Sequence, residues 1–87
     1  MKVSNMTSTN GNKVANQFII RDGKRIIFQS YDSIIAVIEC GRITLDKNLW
    51  NCSRTTAKYR NIFTELTTEE TKRSIKAGKI LLDDLNK

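Results

Sequence analysis

The sequence predicts a small α+β domain, in which an antiparallel β-meander of four strands packs against two C-terminal helices. Short β-branched runs separated by turn residues fill the chain up to Asp46, and apolar residues three and four positions apart follow Ser53. The length of 87 residues allows one domain with a thin core. These observations favour a single sheet that is covered on one face.

The predicted sheet begins at Gln17 with a hairpin. Residues 18–21 and 24–28 are rich in β-branched side chains, and they flank Asp22-Gly23. This dipeptide is typical of type I′ turns, which need positive φ at both central residues. Residues 30–33 then form a second cluster of turn-favouring residues.

Three further segments continue the meander. Residues 34–38 form a short, mostly β-branched apolar run that favours a strand over a helix. After a turn at residues 39–41, residues 42–46 alternate polar and apolar side chains as a half-buried strand does. Residues 80–82 are compatible with a fifth strand at the edge of the sheet.

Two helices are predicted after the meander. Ser53 stands at an N-cap position, and the residues that follow it place one apolar helix face at Tyr59, Ile62, Phe63 and Leu66. Thr67 and Glu70 have the spacing of a capping box at the start of the second helix. Gly78 suits the C′ position at its end.

The N-terminal segment differs in composition from the rest. Residues 1–16 are rich in Ser, Thr, Asn and Gly, and they show neither helical nor strand periodicity. We therefore expect a flexible N-terminal arm over residues 1–16 and a single α+β domain over residues 17–87.

The charge balance indicates an anionic partner. Fifteen Lys and Arg residues stand against nine Asp and Glu residues, so the formal net charge is +6. A field of this sign attracts nucleic acid, anionic membrane surfaces and acidic proteins. No apolar run approaches the length of a membrane span, and we expect no membrane partner.

Metal and cofactor sites are not predicted. The chain has no His and only two cysteines, Cys40 and Cys52, so it lacks the four ligands of a structural zinc site. Residues 1–13 are polar and lack the apolar region of a signal peptide, which favours a cytoplasmic protein. We expect its two thiols to be reduced and packed as small apolar residues, with a single disulfide as the alternative.

Catalytic signatures are absent from the sequence as well. Without His, a Ser or Cys nucleophile would need Lys, Asp or Glu as its base, and no such pair has a recognised spacing. The four glycines are isolated, so no glycine-rich phosphate loop is present. We expect a protein that is not an enzyme and has no cofactor.

The strongest candidate site lies at the start of the first predicted helix. Hydroxyls and backbone N–H groups at a helix N-terminus bind anions, and cations four residues apart share one helix face. A second basic cluster follows in the second helix. The predicted anion- or nucleic-acid-binding residues are Ser53, Arg54, Thr55, Thr56, Lys58, Arg60, Lys72, Arg73 and Lys76. The alternative interpretation is ordinary helix capping and solvated surface charge.

A family resemblance rests on several short motifs. These are residues 28–36 (F-Q-S-Y-D-S-I-I-A), Leu45-Asp46, Trp50 and the stretch S-R-T-T-x-K-Y-R at residues 53–60. From Gln17 to about Gly78, the chain resembles a family of small proteins of unknown function encoded by bacteriophages and mobile elements. No activity is established for that family, so no functional residue is carried over. The resemblance implies that the protein acts in the cytoplasm of an infected bacterium.

Two functional hypotheses follow. The first is a small phage-type accessory protein that binds nucleic acid, or another phosphate-bearing partner, through a basic helical face. The second is a protein–protein inhibitor of a host enzyme or anti-phage defence complex, of the anti-CRISPR or host-takeover type. Its contact anchors would be Trp50 and Tyr31, together with Arg54. An exposed sheet edge also allows a homodimer formed by pairing of edges.

Overall fold

The computed structural model describes residues 1–8 and 10–86; Thr9 of the predicted arm and Lys87 of the predicted domain lie outside these residues. The strands and helices are β1 Lys2–Thr7, β2 Lys13–Asp22, β3 Arg25–Ser30, β4 Ser33–Glu39, β5 Arg42–Asp46, α1 Arg54–Thr64, α2 Thr68–Lys76 and β6 Ile80–Asp83. All six strands form one sheet in sequence order. The α+β class is confirmed, with six strands in place of the four or five predicted.

The two helices form the connection between the last two strands of the sheet. β6 pairs with β5 in parallel, whereas the other neighbouring strands are antiparallel. A parallel neighbour needs a long crossover, and α1 and α2 supply it. The predicted fifth strand at residues 80–82 is thus confirmed as the edge strand β6.

The expectation of a flexible N-terminal arm is wrong. Its residues form β1 and the beginning of β2, and these two strands pair with each other. Met6 is buried in the core, and the Asn5 side chain donates a hydrogen bond of 3.1 Å to the Val14 carbonyl. Backbone pairing and one buried methionine hold this edge strand, while most of its other side chains face solvent. The composition of the segment therefore resembles that of a disordered chain.

The predicted hairpin at Asp22-Gly23 is confirmed as the β2–β3 hairpin, but its turn lies one residue later than predicted. Strand pairing includes Asp22, so Gly23 and Lys24 are the two loop residues, and only Gly23 has positive φ. The turn between β4 and β5 has positive φ at both Cys40 and Gly41. The type I′ pattern therefore belongs to the β4–β5 hairpin.

A β-bulge in β4 places two successive residues in the core. Phe28 pairs with Ala36 and Gln29 pairs with Ile34, so Ile35 is the extra residue. Both Ile35 and Ala36 are almost completely buried. The full core cluster consists of Met6, Phe28, Ile35, Ala36, Leu45, Tyr59 and Ile80.

The helices pack on the face of the sheet that carries this core. α1 contacts β3 and β4, and the Phe63 ring centroid lies 5.8 Å from that of Phe28. α2 contacts β6, and its Ile75 packs against the core cluster. The fold is therefore two layers, with both helices on one side of the sheet.

The predicted helix boundaries are confirmed in their capping contacts. Ser53 is the N-cap of α1 and accepts a hydrogen bond from the Thr56 N–H. Thr67 and Glu70 form a complete capping box, and the hydrogen bond from the Thr67 N–H holds the pKa of the Glu70 carboxyl below its ordinary value. Gly78 follows α2 with φ of 77°, as the C′ position requires.

The opposite surface of the sheet, which we call the open face, has no helix against it among the described residues. The strand register aligns one side chain from every strand in a continuous row across it: Val3, Ile20, Ile27, Val37, Thr44 and Leu81. None of the six belongs to the core cluster.

The carboxylate of Asp46 joins the start of the helical crossover to the segment that follows β6. Its Oδ2 accepts hydrogen bonds from the N–H groups of Asn48 and Leu49, where the chain leaves β5. Its Oδ1 accepts from the Leu85 N–H and the Asn86 amide, where the chain leaves β6. Burial alone would raise the pKa of Asp46, but these hydrogen bonds outweigh it and lower the pKa below its ordinary value.

We expect Asp46→Asn to lower the free energy of unfolding by about 3 kcal/mol, because an amide cannot accept all four hydrogen bonds. Asp32→Asn, at an exposed turn residue, should change it by less than about 0.5 kcal/mol. Urea denaturation at neutral pH measures both values. Equal losses in the two variants would contradict this role of Asp46.

The pH dependence of stability provides an independent check on Asp46. Because its pKa is lower in the folded state, its contribution is complete above the unfolded pKa of ~3.9 and is lost as the pH falls through the folded value. The stability difference between the wild type and Asp46→Asn should therefore shrink below pH ~4. A difference that stays constant down to that range would rule out the ionised carboxylate as its source.

Candidate nucleic-acid interface

The hydroxyls predicted at the start of α1 have two different roles. Thr56 is buried, and its Oγ1 lies 3.1 Å from Ser53 Oγ and 3.3 Å from Ser30 Oγ on β3. These contacts attach the first turn of α1 to the sheet. Thr55 is exposed, so it is the predicted hydroxyl whose side chain is left for solvent or a ligand.

Arg60 is fully buried, and it therefore does not belong to an accessible anion site. Its guanidinium donates to the Trp50 carbonyl, to the side-chain oxygens of Asn51 and Asn61, and to the Thr68 hydroxyl. Burial lowers the pKa of Arg60, although an arginine remains protonated in this range. The sequence placed Arg60 among the phosphate contacts, whereas the structure gives it the role of joining the segment before α1 to the start of α2.

Trp50 and Tyr31, the predicted protein contacts, differ in exposure. Trp50 is half-buried, packs against the core, and lies 5.1 Å from the Arg60 guanidinium carbon, measured to the ring centroid. Tyr31 is 58% exposed in the loop between β3 and β4. Its φ of 57° is unusual for a bulky residue.

The remaining predicted cations form what we call the basic helix surface: Arg54 and Lys58 on α1, with Lys72, Arg73 and Lys76 on α2. All five side chains are exposed. Within residues 1–8 and 10–86, the one ion pair is Arg25–Asp22 at 3.2 Å, far from this surface in sequence. The five cations are therefore available to an external anion.

The spacing of these cations gives one row on each helix. Arg54 and Lys58 are four residues apart on α1, and Lys72 and Lys76 are four apart on α2, so each pair shares a helix side. Both helices lie on the same face of the sheet, and their outer sides therefore face away from it in the same direction. Residues 53–79 carry six exposed basic side chains against three exposed acidic ones, which leaves this layer positive.

A small depression of about 200 Å³ lies beside the start of α1, and apolar Ile35 and Leu49 line it together with several hydroxyls. Its lining includes Ser30, Ser33, Ser53 and Thr56, together with Tyr31 and Cys52. The sequence did not single out Ser30 or Ser33, because only the fold brings the turn between β3 and β4 next to α1. No cation of the basic helix surface lines this depression.

The structure also gives the surroundings of the two cysteines and of possible metal ligands. Cys40 and Cys52 are both free thiols and both exposed, so the expectation that they pack as small apolar residues is wrong. Across the described part of the chain, no group of three or more His, Cys, Asp or Glu side chains is placed to hold a metal ion.

Comparison with known proteins gives one match. A model described as a family of unknown function (DUF8033) matches residues 1–79. The chain belongs to this family. The match includes β1 and β2, so the segment expected to be an arm lies within the matched region.

The other comparisons add no relatives. No curated protein and no solved structure matches the chain significantly. None of the described helices has the length and apolar character needed to cross a bilayer.

We expect Arg60→Lys to lower the free energy of unfolding by about 2–4 kcal/mol, because a lysine cannot donate to four separate acceptors in a planar fork. Arg54→Lys, at an exposed position of the same helix, should leave stability within about 0.5 kcal/mol of the wild type. Thermal denaturation compares the two variants. Similar stability in both would show that the buried guanidinium is dispensable.

Proposed function

We propose that this protein is a small phage-type accessory protein that binds nucleic acid through the basic helix surface. The observation that carries the proposal is the set of five exposed cations on one helical layer, with no ion-pair partner among the described residues. The net charge of +6 adds long-range attraction for a polyanion. The cytoplasm of an infected bacterium, implied by the sequence resemblance, is part of this proposal.

The mode of binding follows from which side chains reach the surface. Among the described residues, the helical layer has no freely exposed aromatic side chain that could stack on bases, because Tyr59 is buried and Trp50 and Phe63 are partly buried against the core. Lys and Arg contacts to phosphate fix position but carry little sequence information. We therefore expect binding that depends on the backbone of the nucleic acid, with little sequence preference and no advantage for single strands.

The test removes four charges from the proposed surface: Arg54→Gln, Lys58→Gln, Arg73→Gln and Lys76→Gln in one variant. Each phosphate contact contributes about 0.9 to the slope of log K against log salt, so the slope should decrease by roughly 3–4 between about 50 and 200 mM salt. Fluorescence anisotropy with a labelled DNA duplex and an RNA duplex measures this slope.

A matched control removes the same charge elsewhere. Lys2, Lys13, Lys24 and Lys47 are exposed on strands and turns outside the helical layer, and changing all four to Gln gives the same net charge. This control should keep nearly all of the salt slope. Equal loss in both variants would show that net charge, not this surface, governs binding, and absence of binding at low salt would remove the proposal.

A second candidate function is supported by Tyr31. An exposed aromatic residue with positive φ is retained at a cost in backbone energy, and strained residues cluster at functional sites. Tyr and Arg are frequent anchors of protein interfaces. Inhibition of a host protein through the Tyr31 loop is therefore the alternative to nucleic-acid binding.

We expect Tyr31→Gly to raise the free energy of unfolding, or leave it unchanged, because glycine adopts positive φ without the penalty of about 1–2 kcal/mol for other residues. If the loop is a protein contact, the same variant should no longer retain a stoichiometric partner from nuclease-treated host lysate. A clear loss of stability would show instead that Tyr31 is needed for the fold itself.

A further inference from the structure

The open face presents apolar side chains across the full width of the six-stranded sheet. Five of the six residues in its cross-strand row are Val, Ile or Leu, and Thr44 is the sixth. Val3 and Leu81, at the two ends of the row, are 61% and 45% exposed. Phe18 and Ile34 extend the apolar area in the next row, on either side of Gln29. Continuous exposed apolar surfaces of this kind mark interaction sites.

A charged row borders this apolar area on the same face. In strand order from β2 to β5 it contains Asp22, Arg25, Glu39 and Arg42, and each is the register partner of the next. The signs alternate as negative, positive, negative, positive. From β5 to β2 the signs run positive, negative, positive, negative, which is the opposite sign at every position. The row is therefore complementary to the same row of a second copy whose strands run in the reverse order.

We infer that two copies of this chain pair through their open faces to form a β-sandwich homodimer. The two-fold axis runs parallel to the strands and passes between β3 and β4. This symmetry places β3 over β4 of the second copy and β2 over β5, in the aligned arrangement of packed sheets. It sets Asp22 against Arg42 and Arg25 against Glu39, so the charged row supports this axis.

The same axis also pairs the apolar residues. Ile27 lies over Val37 of the second copy at the centre, Ile20 lies over Thr44, and Val3 lies over Leu81 at the rim. Sheets packed face to face are ~10 Å apart, which side chains of this size fill. The most exposed apolar residues of the open face therefore cover each other.

The area is sufficient for a specific dimer. Six strands spaced ~4.8 Å apart and about five residues long give a face of roughly 500 Å² per copy. Two such faces bury about 1,000 Å², which is the lower bound for a biological interface. Pairing of sheet edges, the mode expected from the sequence, would leave this apolar surface in water. The dimer goes beyond the proposed function, since nucleic-acid binding uses the other layer.

Sedimentation equilibrium on the full chain tests the dimer. We expect a mass of twice the 10.0 kDa chain at micromolar to millimolar concentration. Leu81→Glu on the open face should raise the dimer dissociation constant by about tenfold or more, because two carboxylates then enter the apolar contact. Ile62→Glu is the matched control, since Ile62 is also 45% exposed but lies on α1, and it should leave the dimer intact.

The charged row provides a second test that specifies the axis. Glu39→Arg alone would oppose Arg25 of the second copy and should weaken the dimer, whereas adding Arg25→Glu restores opposite charges and should recover it. Circular dichroism confirms that each variant is folded. A monomer at all concentrations overturns the inference, and so does a dimer that Leu81→Glu does not weaken; failure of the double variant to recover overturns the axis.

Discussion

The buried carboxylate of Asp46 lies where the chain leaves β5 for the helices, next to the point where it leaves β6. It accepts hydrogen bonds from Asn48 and Leu49 before α1 and from Leu85 and Asn86 after β6. One buried anion thus holds the start of the crossover together with the segment after β6, whereas the crossover returns to the sheet at Ile80, the other end of β6. The helices are held on one side of the sheet by the core contacts of Tyr59, Phe63 and Ile75, together with the buried contacts of Arg60.

One-sided cover divides the molecule into two surfaces with different chemistry. The helical layer uses its inner side chains for the core and presents cations outward, whereas the open face presents a register-aligned apolar row. The proposed polyanion binding and the proposed self-association therefore use different residues. In the proposed dimer the helices lie on the outside, so two basic helix surfaces face in opposite directions and could hold two segments of nucleic acid.

Features that depend on neighbouring residues could be predicted from the sequence, whereas contacts between distant segments could not. The hairpin near Gly23, the Ser53 cap and the capping box at Thr67 depend on neighbouring residues, and the structure confirms them. The edge strand β1 escaped prediction because a strand that buries a single methionine has no apolar periodicity. Arg60 was misplaced because its acceptors come from the segment before α1 and from the start of α2, which only the fold brings together.

The central claim is that nucleic acid contacts the outer side of the helices. Two-dimensional amide NMR of the isotopically labelled protein, titrated with a DNA duplex at low salt, tests it most directly. The account predicts shifts concentrated at Arg54, Lys58, Lys72, Arg73 and Lys76 and their helical neighbours, with the amides of β2 to β4 little changed. Shifts centred on the open face, or no shifts at all, would contradict it.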